Sequence, residues 1–214
     1  MPKYKQGKQI EQLNFSKFKK LMKDRGNRLT LEQRSFVWLL YYGGMRKSEL
    51  YERLVKDLQH INGKVILDIG ERKKGSAKTL PLEFPDWFPG LDDVCNWHKK
   101  ISKRKPSTKL LERWNHQKRI TQRVKAKWLF PNVHRTTALT IVKEILGSQY
   151  YPHFLRLNRI TEIASDPTSN LTRIKSFTGI KSTKIIEENY MGISKTQQDA
   201  AVNFMAKQIR KTEQ

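Results

Sequence analysis

The sequence predicts a mostly helical protein with one small antiparallel β element, an α+β fold. Apolar residues recur at helical spacing in residues 13–57 and again in residues 138–188. Between these stretches, the turn Asn62-Gly63 precedes the apolar run 65–69, which is typical of a strand. With 214 residues, the chain is long enough to bury one sizeable core. We therefore expect one main domain.

Two helices are predicted at the start of this domain. The first ends at Gly26-Asn27, and its apolar residues share one helical face: Phe15, Phe18, Leu21 and Met22. The second begins after Thr30, which forms a capping box with Gln33. It carries the run 36–42, which is apolar almost all round. We therefore expect this second helix at the centre of the core.

Gly43 and Gly44 end the second helix and permit a sharp turn before a third. Ser48 is a favourable N-cap for that third helix, which is predicted to run to about Asp57. Arg46 lies in the turn between the two helices. Its guanidinium either binds carbonyls at the end of the preceding helix or, held between buried elements, belongs to a functional site.

A lysine-rich turn follows the strand at 65–69, and a second strand returns at 79–82. The turn contains Lys73, Lys74 and Lys78. A hairpin of this kind either presents cations to a phosphate or forms a solvated edge that resists aggregation. Prolines then interrupt regular structure before a helix predicted around residues 91–98.

Residues 99–127 form the most basic segment, in which Glu112 is the only acid. Interleaved apolar residues, such as Trp114 and Val124, predict a helical and partly packed basic face rather than a disordered tail. We expect this face to lie along a phosphate backbone. The candidate DNA-binding residues are Lys103, Arg104, Lys105, Arg119 and Arg123, together with Lys74 and Lys78 of the hairpin.

A helix predicted at 138–146 leads through Gly147 to His153 and Arg156. Because positions i and i+3 share a face at a helix start, this imidazole and guanidinium can converge on one anion. Guanidinium matches phosphate geometry, and imidazole exchanges a proton near neutral pH, so the pair suits a phosphodiester. Short helices at 170–177 and 183–188 precede Tyr190, and the tail from residue 194 carries an apolar helical stripe.

The composition indicates a nucleic-acid partner. Lys and Arg total 43 against 20 Asp and Glu, a formal charge of +23, and such a field attracts polyanions through counterion release. No apolar run approaches bilayer length and no signal peptide is evident, so we expect no membrane partner and an intracellular location. Cys95 is the single cysteine, which excludes internal disulfides and a cysteine-based zinc site. The five histidines lack metal-ligand spacing, so no metal or cofactor is expected.

Taken together, the motifs resemble the catalytic domain of the tyrosine recombinases and integrases. The stretch Gly43-Gly44-Met45-Arg46-Lys47-Ser48-Glu49-Leu50 matches the family's first motif except for Met in place of Leu. The lysine hairpin, the His153-x-x-Arg156 pair and Tyr190 then follow in the family's order. Residues 177–182 resemble the family segment that precedes the nucleophile. The resemblance covers about residues 13–192.

The resemblance implies a role for each motif residue. Arg46 and Arg156 would bind the non-bridging oxygens of a scissile phosphate, and His153 would assist proton transfer. Lys73 would protonate the leaving 5′ oxygen, and Tyr190 would be the nucleophile that forms a 3′-phosphotyrosyl DNA. Such a link keeps the phosphodiester energy, so strands can be rejoined without ATP or metal.

Departures from the family pattern leave three alternatives open. Ile180 stands where most members have His or Trp, so either Lys181 takes that role or the role is vacant. The hairpin acid is Lys73 by its distance from Pro81 but Lys74 by the Lys-Gly motif. The family's separate N-terminal DNA-binding domain has no counterpart here beyond a short arm. The chain is either a minimal enzyme or a catalytic fragment.

The resemblance thus predicts three parts: a basic arm (1–12), a catalytic domain (13–192) and a C-terminal helical tail (193–214) that packs in cis or on a neighbouring protomer. It predicts a DNA recombinase that integrates or excises a mobile element and associates as a dimer or tetramer on double-stranded DNA. A prokaryotic host, and integrases of archaeal viruses or plasmids, are the expected context. The alternatives are a type IB topoisomerase-like relaxing enzyme and a non-catalytic basic DNA-binding module.

Overall fold

The computed structural model describes residues 13–62, 64–69, 81–115, 118–166 and 169–180, together with residues 182, 184 and 186. Within these residues the chain forms seven α-helices and two small antiparallel sheets, which confirms the predicted mostly helical α+β class. The basic arm, the lysine turn of the hairpin and the C-terminal tail lie outside the described residues.

The elements follow one another along the chain in a fixed order. They are α1 (Phe15–Arg25), α2 (Leu31–Gly43), α3 (Lys47–Tyr51), β1 (Leu58–Ile61), β2 (Lys64–Leu67), β3 (Leu82–Phe84), α4 (Leu91–Ser102), β4 (Ser107–Asn115), β5 (Lys118–Ala126), α5 (Arg135–Leu146), α6 (Pro152–Ser165) and α7 (Leu171–Thr178). None of these helices is both long and apolar enough to cross a membrane.

Helix α2 is the centre of the core, as its all-round apolar sequence predicts. It begins with the predicted capping box, in which Thr30 and Gln33 exchange hydrogen bonds between side chain and backbone. The Tyr41 ring of α2 stacks on Phe18 of α1, with ring centroids 3.9 Å apart. Burial of such aromatic pairs stabilises the fold through both area and ring geometry.

Helix α3 is shorter than predicted. It starts at Lys47, with Arg46 rather than Ser48 at the N-cap, and it ends at Tyr51 rather than near Asp57. The reason is tertiary: the Val55 amide donates to the Lys127 carbonyl at 2.9 Å, and the Leu129 amide donates to the Arg53 carbonyl at 2.8 Å. These bonds join the chain after α3 to the segment after β5 and replace the bonds that would continue the helix.

The first sheet has the order β1-β2-β3 and is antiparallel throughout. The predicted hairpin corresponds to β2 and β3, in which Leu67 is the partner of Leu82. Strand β1 was not predicted; it pairs with β2 across the Asn62 turn, where Asn62 has a positive φ of 51°. The sheet therefore holds both ends of the lysine turn next to each other.

The second sheet corrects the prediction for residues 99–127. Residues 99–102 are helical, as the end of α4, whereas residues 107–115 and 118–126 form the two strands of the hairpin β4–β5. Cross-strand pairs run from Ser107 opposite Ala126 to Asn115 opposite Lys118. The base of the hairpin is fixed to the core because the Trp128 indole N–H donates to the Ser107 carbonyl at 3.0 Å.

Helices α5, α6 and α7 complete the domain. Helix α5 contributes Ile141, Val142 and Ile145 to the main core, and Gly147 ends it with a φ of 109°. Helix α6 shares a smaller apolar cluster with α7, centred on Ile160 and Ile174. The second half of α6 thereby holds α7 close to the site described next.

Candidate active site

Arg46 is positioned by the turn between α2 and α3. Gly44, the C-cap of α2, adopts a left-handed conformation with a φ of 52°, which favours glycine. A Cβ atom at Gly44 would lie 3.1 Å from the Phe177 ring and 3.3 Å from the Arg159 side chain, so this turn also packs closely against α6 and α7. The α2–α3 turn is therefore fixed on both sides, and the Arg46 side chain projects from it with 43% of its area exposed.

Glu49 holds Arg46 in place from within the first turn of α3. Its carboxylate accepts the Arg46 backbone N–H at 2.7 Å and a second bond from Arg46 Nη1 at 2.6 Å. The side chain of Glu49 is only 4% exposed, so both bonds are charge-assisted and shielded from water. The same carboxylate lies 3.7 Å from Arg156 Nη1, and one buried anion thus links the two predicted phosphate-binding arginines.

His153 and Arg156 lie on the first turn of α6, as their spacing predicts. Pro152 occupies the first helical position, where its fixed φ and missing N–H are tolerated. His153 is exposed, whereas Arg156 is buried with 2% of its area exposed. The His153 imidazole is therefore accessible from solvent, whereas the Arg156 guanidinium is enclosed.

The buried guanidinium of Arg156 connects two distant parts of the chain. Nη1 donates to the Gly44 carbonyl at 2.7 Å, and Nη2 donates to the Thr178 carbonyl at 2.9 Å. Buried arginine requires such partners, because an unpaired charge in the interior is very costly. Arg156 thus fixes the α2–α3 turn to the end of α7.

The end of α7 is the segment that leads to Lys181 and Tyr190. Thr178 is buried, Gly179 has a positive φ of 70°, and the Ile180 amide donates to Thr178 Oγ1 at 3.1 Å. Because Arg156 Nη2 donates to the Thr178 carbonyl, the segment that resembles the family's penultimate motif begins next to the Arg156 guanidinium. Lys181 and Tyr190 themselves lie outside the described residues.

The pKa of His153 is affected by the two arginines of the site. Protein atoms around the imidazole displace part of its water and lower the pKa of His153, although part of the side chain stays exposed, and the positive charges of Arg156 and Arg46 lower it further. The shift favours the neutral imidazole, which can accept a proton beside two guanidiniums. Arg46 is thus brought together with His153 and Arg156, although it lies more than 100 residues before them along the chain.

The remaining predicted residues lie elsewhere or outside the described residues. Lys73, Lys74 and Lys78 lie outside them, between the paired strands β2 and β3. Lys103, Arg104 and Lys105 are exposed in the turn between α4 and β4. Arg123 is exposed on β5, and Arg119 lies further along the same strand.

Lys109 does not belong to the exposed basic face in which the sequence placed it. It is 1% exposed, and its Nζ donates to the Tyr51 carbonyl at 2.7 Å and to the Val133 carbonyl at 3.0 Å. The Nζ also lies 5.4 Å from the Trp128 ring centroid. Burial lowers the pKa of Lys109 to about 8, while the charges of Glu32 and Glu52 oppose that shift.

Glu49 is the site residue that the sequence did not single out. It was one letter of the Ser48-Glu49-Leu50 motif, and its role depends on contact with Arg156 over a separation of 107 positions. A usable signal was its place three residues after Arg46, where an acid caps a helix N-terminus. Among the described residues, no group of three or more His, Cys, Asp or Glu is arranged to hold a metal ion.

No family model and no curated protein matches the chain in sequence. Solved structures that share its fold include two recombinases. One is a XerA recombinase, with a TM-score of 0.60 and 12% identity, matched over 93% of this chain and 65% of that one. The other is a XerH site-specific recombinase bound to its difH substrate in a pre-cleavage complex, with a TM-score of 0.61, 15% identity, and coverage of 91% and 54%.

The chain therefore spans between about half and two thirds of the length of these two recombinases. At such low identity the likeness shows the fold. It confirms the predicted mostly helical α+β fold class, which the chain shares with these two recombinases.

Proposed function

We propose that this protein is a tyrosine recombinase that cleaves and rejoins DNA strands through a 3′-phosphotyrosyl intermediate. The observation that carries the proposal is the convergence of Arg46 and Arg156 on the buried carboxylate of Glu49, with His153 close enough to both guanidiniums for their charges to lower its pKa. The shared fold with two recombinases and the net charge of +23 support it. One of those recombinases was solved with DNA bound, which agrees with a double-stranded DNA partner.

Arg46 and Arg156 contribute to binding of the scissile phosphate in different ways. Arg46 is partly exposed and can direct its remaining N–H groups to a non-bridging oxygen. Arg156 is enclosed and supplies positive potential at a fixed position, since its geometry is set by two backbone carbonyls. Preorganised positive charge of this kind stabilises the additional negative charge of a phosphoryl-transfer transition state.

A phenol is a weak nucleophile at neutral pH because its ordinary pKa is about 10. In the proposed mechanism Tyr190 attacks phosphorus, and neutral His153 accepts or relays the phenolic proton. Lys73 donates a proton to the 5′ oxygen as the bond to phosphorus breaks. The reverse sequence rejoins the strand, and neither step consumes a nucleotide cofactor.

The domain boundaries belong to the same proposal. Residues 13–192 form the catalytic domain, residues 1–12 a basic arm and residues 193–214 a tail that packs in cis or on a second protomer. The reaction integrates or excises a mobile element, with two or four protomers assembled on DNA. Lys181 is the further candidate for a contact to the scissile phosphate, since it follows the segment bound by Arg156.

A nicked suicide duplex tests the proposal, because loss of the short leaving fragment traps any covalent adduct. Wild-type protein should form an adduct that migrates with the DNA in denaturing gels. Tyr190→Phe should bind the duplex but form no adduct, since only the nucleophilic oxygen is removed. Tyr42→Phe is the matched control, because it removes a phenol oxygen bonded to the Glu83 carbonyl, and it should retain the adduct.

The rate of adduct formation tests the role of Arg46 separately from that of Tyr190. Arg46→Ala should slow adduct formation by about 10²- to 10³-fold, the usual effect of removing one donor that stabilises a developing oxyanion. Persistence of the adduct in Tyr190→Phe would falsify the nucleophile. Tight binding without any adduct in wild-type protein would favour the non-catalytic module instead.

A further inference from the structure

The β4–β5 hairpin has two faces that the strand register defines. Directly paired residues lie on the same face, and successive residues alternate. One face contains the pairs Lys109–Val124 and Leu111–Gln122. At the base of the hairpin this face points to the core, because Lys109 and Leu111 are both buried.

The opposite, outward face is exposed and basic. It contains the pairs Thr108–Lys125 and Leu110–Arg123, with Thr121 one step further along β5. All five of these residues are exposed, and Leu110 keeps 57% of its area accessible. The register places Arg123 and Lys125 on this face, and Glu112, the one acid of the two strands, opposite Thr121 on the same face. The cations of Arg123 and Lys125 beside the exposed apolar side chain of Leu110 fit a partner that presents both anionic and apolar groups.

The dimensions of the hairpin match one part of duplex DNA. Nine residues per strand give a length of about 30 Å. The major groove is about 12 Å wide and admits a two-stranded β-ribbon, with phosphates along both edges and thymine methyl groups on its floor. A phosphate backbone alone would satisfy Arg123 and Lys125 but would leave Leu110 in water.

We propose that the outward face of the β4–β5 hairpin enters the major groove of duplex DNA, outside the cleavage site, and reads base edges there. Arg123 donates two hydrogen bonds to the O6 and N7 atoms of a guanine, the geometry that its planar fork permits. Leu110, directly opposite Arg123, contacts the methyl group of a neighbouring thymine. Lys125 pairs with phosphate at the groove edge. This inference rests on the proposed function only for its DNA partner.

Selection of bound sequences from a random duplex library tests the inference on the full chain. Wild-type protein should select a guanine that Arg123→Gln no longer prefers, with a loss of discrimination of about 5- to 160-fold. Arg123→Lys should retain part of the preference, because an ammonium group can still donate to guanine O6 and N7. Arg28→Gln is the matched control, an exposed arginine between α1 and α2, and it should keep the wild-type preference.

A second measurement isolates Leu110. Replacing the selected thymine by uracil removes one methyl group and should weaken wild-type binding about fourfold, the transfer free energy of one methylene expressed as affinity. Leu110→Ala should bind both duplexes equally. Both positions are exposed, so circular dichroism should give unchanged melting temperatures for these variants.

The outcomes separate this inference from the proposed function. If Arg123→Gln keeps the wild-type preference, or if wild-type protein selects no sequence, the hairpin binds phosphate alone and groove reading is wrong. Normal adduct formation by Arg123→Gln on the nicked duplex at saturating concentration is expected, because the hairpin is separate from the cleavage chemistry. Failure of wild-type protein to bind any duplex would overturn both proposals.

Discussion

Replacing Glu49 by Gln removes the one negative charge that lies between the two site arginines. The substitution keeps the shape of the side chain and an acceptor for the Arg46 backbone N–H. Arg156, however, loses the carboxylate 3.7 Å from its Nη1 while it stays buried with two neutral carbonyl acceptors. Removing one partner of a buried ion pair costs about 3–5 kcal/mol. Arg46 adds little, since a pair with a partly exposed arginine contributes about 0–1 kcal/mol.

We therefore expect Glu49→Gln to lower the free energy of unfolding by about 3–4 kcal/mol, against about 1 kcal/mol for Arg46→Ala. Urea denaturation followed by tryptophan fluorescence measures both values. The loss in Glu49→Gln should persist at high salt, because buried pairs are poorly screened, whereas the loss in Arg46→Ala should shrink. If Glu49→Gln is no less stable than Arg46→Ala, Glu49 does not balance the buried charge of Arg156.

Three further predictions concern other parts of the fold. Lys73→Ala should cleave ordinary DNA slowly and be rescued on a 5′-bridging phosphorothioate, whose leaving group departs without protonation; rescue of Lys74→Ala instead would shift the general acid by one residue. The free energy of unfolding of wild-type protein, measured by chemical denaturation relative to that of Lys109→Met, should rise by about 2 kcal/mol between pH 7 and 9.5. The reason is that, above the folded pKa of about 8, Lys109 keeps its proton in the unfolded chain but loses it in the folded protein, so stability increases with pH. A difference between the two proteins that does not change with pH would contradict the lowered pKa of Lys109. Gly44→Ala should destabilise by about 1–2 kcal/mol because of its left-handed φ. Gly26→Ala should cost less in the same assay, because its φ of −62° suits alanine and its Cβ would meet only the flexible Arg34 side chain, at 3.3 Å; equal effects would refute the backbone argument.

Local patterns in the sequence predicted most helices and the N-cap of α2. The Thr30–Gln33 capping box and the Gly43-Gly44 turn could be identified because their signals lie within a few residues of each other. The end of α3 could not, because it depends on hydrogen bonds to residues 127 and 129. Bonds between distant segments leave no local pattern.

The β4–β5 hairpin shows why a local helical spacing of apolar residues can lead to a wrong prediction. Ile120, Val124 and Trp128 recur every four residues, a spacing that favours a helix. The strand alternation that buries Lys109 and Leu111 was hidden, since a lysine was counted as an exposed cation. Its burial depends on carbonyls of Tyr51 and Val133, which no count of charges predicts.

The candidate site was predicted residue by residue from its motifs, and the structure describes three of the six proposed catalytic residues: Arg46, His153 and Arg156. The sequence placed Arg156 against a phosphate, and the structure adds that its guanidinium is enclosed and bonded to two backbone carbonyls. The linking carboxylate of Glu49 could be found only once the chain was folded, because Arg156 is distant in sequence.

The two carbonyls bound by Arg156 have a consequence for how the protein is made. One acceptor, at Gly44, lies 112 residues before the arginine, and the other, at Thr178, lies 22 residues after it. Because synthesis releases the N-terminal residues first, the guanidinium obtains its second acceptor only after α7 has left the ribosome. A prematurely terminated chain that ends before α7 would carry both site arginines without the framework that fixes them, so the cluster is completed only when most of the sequence has been translated.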